Sequence, residues 1–120
     1  MMNIEKKKSG VRKPYVITPG GQRICLLKAD TFTKRLLGIH LQKPNYDQAL
    51  WFPDCRSIHT FLCPVIGVVF MRNWEVLVVY PQVLPNVVLI ERKADGVIEF
   101  LPGSPLALLN PGEKLVYKEG

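Results

Sequence analysis

Nowhere in this 120-residue sequence is there an uninterrupted apolar stretch of the about 20 residues that a bilayer-spanning helix needs. The longest nearly apolar run, Phe61 to Met71, is broken by Pro64 and Gly67. Met1 to Arg12 carries charge but leads into no apolar segment and no small-residue cleavage site, so no secretory signal is read there. The expectation is a soluble, cytoplasmic protein without membrane insertion. Cysteine is scarce and odd in number, which excludes a disulfide framework and predicts that Cys25, Cys55 and Cys63 are free thiols. Gly20-Gly21 is not followed by Lys-Ser/Thr and opens no helix, so a phosphate-binding loop is excluded. There is no internal repeat and no linker long enough to separate two domains.

Acidic residues are scarce in one region only. Residues 1 to 35 hold nine Lys or Arg against Glu5 and Asp30, whereas the remaining 85 carry seven basic and eight acidic groups, so the net charge of +6 belongs to the N-terminal third. Residues 1–13, with Lys6-Lys7-Lys8, read as a basic, solvated tail whose contact with nucleic acid would be weak and diffuse. Residues 14–120 read as a single domain, ordinary in hydrophobic fraction (48%) and so able to bury one core.

Within that domain, strand-like runs punctuated by Gly and Pro dominate. Tyr15 to Thr18 and Arg23 to Lys28 flank Pro19-Gly20-Gly21-Gln22, the composition of a hairpin. Asp30 can cap a short helix through Leu37 that Gly38 stops. Ala49 to Phe52, Ile58 to Leu62, Val65 to Met71, Glu75 to Tyr80, Val87 to Glu91 and Val97 to Leu101 are rich in branched and aromatic side chains and predict strands. Val65 to Phe70 and Val76 to Tyr80 lack polar alternates, the mark of strands buried on both faces. Ser104 and Pro105 start a second short helix with Leu106, Leu108 and Leu109 to bury, and Asn110-Pro111-Gly112 turns the chain into a last strand, Lys114 to Tyr117. The fold class expected is α+β: a small, mixed, mostly antiparallel, barrel-like sheet with two short helices.

Chemistry-bearing residues crowd into Cys55-Arg56-Ser57-Ile58-His59-Thr60-Phe61-Leu62-Cys63. Three readings arise. Cys55, His59 and Cys63 are soft ligands at even spacing, the types that suit zinc, but Pro53 and Pro64 deny them a common helix and the set is one ligand short. Cys55 can act as a nucleophile if His59 or Arg56 lowers its pKa. Alternatively Arg35 and Arg56 can grip an anion bidentately, with Thr60 adding a hydroxyl and Trp51 or Phe61 an apolar wall. Against all three stands a structural role, in which Arg56 pairs with Glu99 and His59 and Thr60 satisfy buried backbone groups.

Four ordered motifs carry a resemblance: Ala29-Asp30-Thr31-Phe32-Thr33-Lys34-Arg35-Leu36-Leu37-Gly38, Leu50 to Phe61, Val97-Ile98-Glu99-Phe100-Leu101-Pro102-Gly103, and Gly112-Glu113-Lys114-Leu115. Together they resemble the family catalogued as domain of unknown function 192, over about residues 15 to 118. That family implies a fold and a candidate cleft but no activity. The chain departs from its pattern at Gly67, where the family's Pro-Ile-Asp motif would place an acid. The reading that results is a non-catalytic binding or accessory domain whose cleft is lined by Arg35, Arg56, His59, Thr60 and Glu99. Its ligand would be a small molecule or protein, with no cofactor and no resident metal. The alternatives are a small enzyme using Cys55 or His59, or a metal-binding domain.

Overall fold

The computed structural model describes residues 13–29, 44–61 and 63–120. Its strands are β1 (Tyr15–Ile17), β2 (Arg23–Lys28), β3 (Gln48–Pro53), β4 (Ser57–His59), β5 (Ile66–Arg72), β6 (Glu75–Val83), β7 (Val88–Ile90), β8 (Gly96–Phe100) and β9 (Val116–Lys118). Seven of them form one sheet in the order β6-β5-β8-β3-β2-β1-β9, and β4 and β7 form a separate two-stranded ribbon.

Each pairing follows from the local sequence. Pro19-Gly20-Gly21 turns β1 back onto β2, with Gly21 at φ 89, and the register Tyr15↔Cys25 is that of a hairpin. β3 lies parallel to β2, the one parallel pairing among the described strands of the sheet, as a connection longer than a hairpin turn between them allows. β5 and β6 are joined by a two-residue loop, Asn73-Trp74, with φ of 54 and 65. Two successive left-handed residues are what a type I′ hairpin turn requires.

The sheet curls until its two edges meet at one end. Val76 N–H donates to Glu113 O (2.8 Å), Gly112 N–H to Val76 O (2.8 Å) and Leu115 N–H to Trp74 O (2.8 Å), so the chain leading into β9 pairs with the start of β6. The concave side holds one core, with Val16, Ile24, Leu26, Val69, Met71, Ile98, Phe100 and Leu106 among its buried residues. The convex side holds another, in which Leu50, Phe52, Val68, Phe70 and Val97 pack with Ile58 of the ribbon. Strands β5 and β8 are consequently buried along both faces.

The α+β expectation is corrected by this architecture. Among the described residues the helical structure is a single 3-10 turn, Pro105–Leu108, and the rest of the regular structure is strand. Ser104 does cap that turn, its Oγ accepting from Leu106 N–H at 3.2 Å. Yet Leu109 is already extended at φ −68, ψ 152, and Pro111 disfavours the helical region at Asn110, so the segment is too short for an α-helix. The helix expected over residues 30–37 lies outside the described residues, as do Arg35 and most of the basic tail. The mixed, mostly antiparallel and barrel-like character of the sheet agrees with the sequence reading. Gly67 also acquires a reason: it faces Phe100 across β5 and β8, and a methyl there would overlap the phenyl ring.

Candidate functional site

Alternation along β8 decides where its chemistry lies. Ile98 and Phe100 point into the concave core, so Val97 and Glu99 point to the convex side. Glu99 stands opposite Leu50 of β3 and Val68 of β5, both fully buried and apolar. Its side chain is 5% exposed, and among the described residues no hydrogen bond or ion pair reaches its carboxyl. An unpaired carboxylate in that environment carries a heavy desolvation penalty. Burial accordingly pushes the Glu99 carboxyl up from 4.5 to about 7, leaving a large protonated fraction at neutral pH.

The charge of Glu99 also acts on Cys63. This cysteine is half-buried and packs against the convex core at the end of the segment that leaves β4. Burial first, and then the negative charge of Glu99, hold its thiol above its ordinary range. A thiol raised in this way is a poor nucleophile, because the thiolate is the reactive form.

The other predicted site residues have separate positions. Thr60 is buried and its hydroxyl is fully engaged: it accepts from Val87 N–H at 2.8 Å and donates to Leu84 O at 2.7 Å. With Thr60 N–H donating to Val87 O (2.9 Å) and Asn86 N–H to Thr60 O (2.9 Å), Thr60 pins the loop between β6 and β7 to the end of β4. That is the structural role, not a ligand contact. Arg56 and His59 are exposed on the ribbon side, and Arg56 makes no ion pair with Glu99. The His59 ring accepts from Phe61 N–H through Nδ1 at 3.3 Å and lies 5.0 Å from the Phe61 ring. The Cys55 thiol donates to Ser57 O at 3.0 Å. No three His, Cys, Asp or Glu side chains gather to hold a metal among the described residues. Thus Glu99 and Cys63 share the convex side, Cys63 N–H donates to Thr60 O at 3.1 Å, and Arg56 and His59 are exposed on the ribbon.

A second cluster was not anticipated. At the end where the sheet closes, Trp74 stacks on Tyr117 (4.5 Å, 13°) and Trp51 packs on both, 5.1 Å from Trp74 and 5.3 Å from Tyr117. Beside them opens a cleft of about 180 Å³ lined by Trp51, Trp74, Met71, Asn73, Asp54 and Asp95, with Pro53 at its rim. Asp95 is fixed by the turn, since both its carboxylate oxygens accept from Asn73 N–H at 3.1 and 2.9 Å. The readable signal was Asn73-Trp74 between two long strands: a turn needing positive φ that carries an indole instead of glycine.

Comparison with known proteins speaks to the fold. A chain from Sinorhizobium meliloti 1021 described as a "putative transcription regulator" superposes with a TM-score of 0.71 at 15% identity, over 90% of this chain and 94% of that one. A protein of unknown function from Novosphingobium aromaticivorans DSM 12444 superposes with a TM-score of 0.68 at 16% identity, over 86% and 82% of the two chains. No family model matches the sequence and no curated protein is similar to it. No helix among the described residues is long and apolar enough to cross a membrane. The chain therefore shares a curled, nearly all-β fold with these two proteins.

Proposed function

We propose that this protein is a non-catalytic binding domain and that Glu99 is the group that recognises its ligand. The carrying observation is the buried Glu99 carboxyl on the convex face of β8, without a partner among the described residues. A carboxyl held partly protonated near pH 7 offers one O–H donor and one C=O acceptor side by side, the complement of a primary amide or of a second carboxyl group. Leu50 and Val68 beside it keep water away, which strengthens each hydrogen bond that such a ligand makes. Membership of domain of unknown function 192 is part of this reading, since Glu99 falls within one of the four motifs that carry the resemblance. Three free thiols fit a reducing compartment, and on that ground the domain is assigned to the cytoplasm.

Neither alternative gains support from the geometry. A thiol enzyme needs a base within reach of its nucleophile, and the contacts of Cys55 and His59 run to the backbone at Ser57 and Phe61. The test is a fragment titration of the intact chain with acetamide and acetic acid, following the side-chain carboxyl carbon of Glu99 by NMR. A saturable shift is expected with both fragments, and in Glu99→Leu, which has neither donor nor acceptor, the backbone amides of Leu50 and Val68 no longer respond to either. A Glu99 resonance that neither fragment moves overturns the assignment.

A further inference from the structure

We infer that the closed end of the barrel is a second binding site, for an organic ammonium group seated against Trp51 and Trp74 with Asp54 and Asp95 as its counter-charges. This site is independent of Glu99. Trp51 belongs to the concave side, whereas its neighbours Leu50 and Phe52 belong to the convex side.

Size sets the first limit. A cleft of about 180 Å³ is smaller than the roughly 300–1,000 Å³ of sites that engulf a whole drug-sized ligand, so it suits one head group. Its lining sets the second. Two Trp and two Asp residues line the space, and no Lys, Arg or His is among the lining residues. Asp95 already accepts the Asn73 amide, but the Asp54 carboxylate accepts no hydrogen bond among the described residues. Indole faces attract cations through the ring quadrupole, most strongly where water is displaced. Trp51 displays that property within the molecule, since the Lys28 ammonium lies 5.4 Å from its ring centroid.

The backbone gives an independent indication. Among the described residues four non-glycine residues have positive φ, and three of them, Asp54 (54), Asn73 (54) and Trp74 (65), line this one cleft. Asn and Asp tolerate the left-handed region, but a bulky residue there is a genuine outlier and is characteristically retained where it has a task. Glycine would make the same turn without strain. Stacking on Tyr117 holds the Trp74 indole in place, and this leaves a preformed aromatic wall for a guest.

The experiment titrates the full chain with tetramethylammonium chloride and follows the two indole N–H resonances. Sodium chloride controls for ionic strength, and tert-butanol is the uncharged counterpart. The expected result is a saturable shift of both indoles that neither control reproduces. Asp54→Asn, which keeps the left-handed backbone, weakens binding about tenfold, and Trp74→Gly, which relieves the turn while removing the wall, abolishes it. The proposal is overturned if tert-butanol titrates the indoles equally, if no saturation occurs, or if Asp54→Asn leaves the affinity unchanged. Asp54→Asn decides the matter on its own should Trp74→Gly fail to fold.

Discussion

The two faces of the central strands β3, β5 and β8 are both buried, yet they do different work. On the concave face every central side chain is apolar, and the packing is close enough that Gly67 has no room for a methyl beside Phe100. The convex face has the same kind of neighbours, Leu50, Val68 and Val97, but places Glu99 among them. At the centre of the sheet the concave face thus serves packing, and Trp51 and Met71 of the same face reach the cleft at the closed end. The convex face gives up stability to keep a carboxyl where it is partly protonated.

This contrast can be broken or sharpened by experiment. The largest effect belongs to the concave face. Phe100→Ala empties the space over Gly67 and lowers the unfolding free energy by about 4 kcal/mol in urea denaturation. Gly67→Ala is destabilising by overpacking, and in the Phe100→Ala background it becomes much less so, because the added methyl then occupies the cavity. Additive behaviour of the two substitutions would show that the close contact is not what fixes Gly67.

On the convex face the next effect depends on pH. Glu99 is raised from 4.5 in the unfolded chain to about 7 in the folded one, so the folded state retains a proton that the unfolded state loses. Its favourable contribution is therefore complete below pH 4.5, falls as the pH rises from 4.5 to 7, and is gone above 7. At about 1.4 kcal/mol per pH unit, stability drops by about 3 kcal/mol across that window, and Glu99→Gln removes this part of the dependence. A Glu99→Gln profile that falls as steeply as the parent's would show that the carboxyl is solvated.

Thr60→Val, by loss of the Val87 and Leu84 hydrogen bonds, costs about 2 kcal/mol and loosens the ribbon. Hydrogen exchange at Val87 N–H measures it directly, and protection unchanged from the parent would reject the clip. The smallest effect is kinetic. Cys63, with its thiol raised by burial and by Glu99, reacts with iodoacetamide at pH 8 several-fold more slowly than free cysteine, and Glu99→Gln speeds it by about twofold. A rate indifferent to Glu99 would separate the two groups.

Much of this fold was legible residue by residue. Pro19-Gly20-Gly21-Gln22 marked the first hairpin, and β3, β5, β6, β7 and β8 fall where branched and aromatic side chains are concentrated. Ser104-Pro105 did start a turn, but it ends as a 3-10 helix at Leu108, with Leu109 extended and Pro111 disfavouring any helical continuation at Asn110. The candidate site was less legible. Thr60 and Glu99 look alike as polar residues in β-rich runs; one has every hydrogen bond made and the other has none among the described residues. Arg56 and His59 gained apparent importance from crowding along the chain, and crowding in sequence does not bring side chains of a ribbon and a sheet to one point. The aromatic cleft has no local signature because Trp51, Trp74 and Tyr117 stand 23 and 43 residues apart along the chain and meet only where the sheet closes.

What the sequence determined by itself is local: the strand-forming runs, the glycine and proline turns, and the single chain of short elements, all of which follow from the conformational preferences of neighbouring residues. Tertiary structure alone decided that both faces of β8 are covered, that Glu99 has no partner among the described residues, and that Trp74 completes a cleft. Burial and hydrogen-bond satisfaction are properties of residues brought together from distant parts of the chain, and no local pattern carries them.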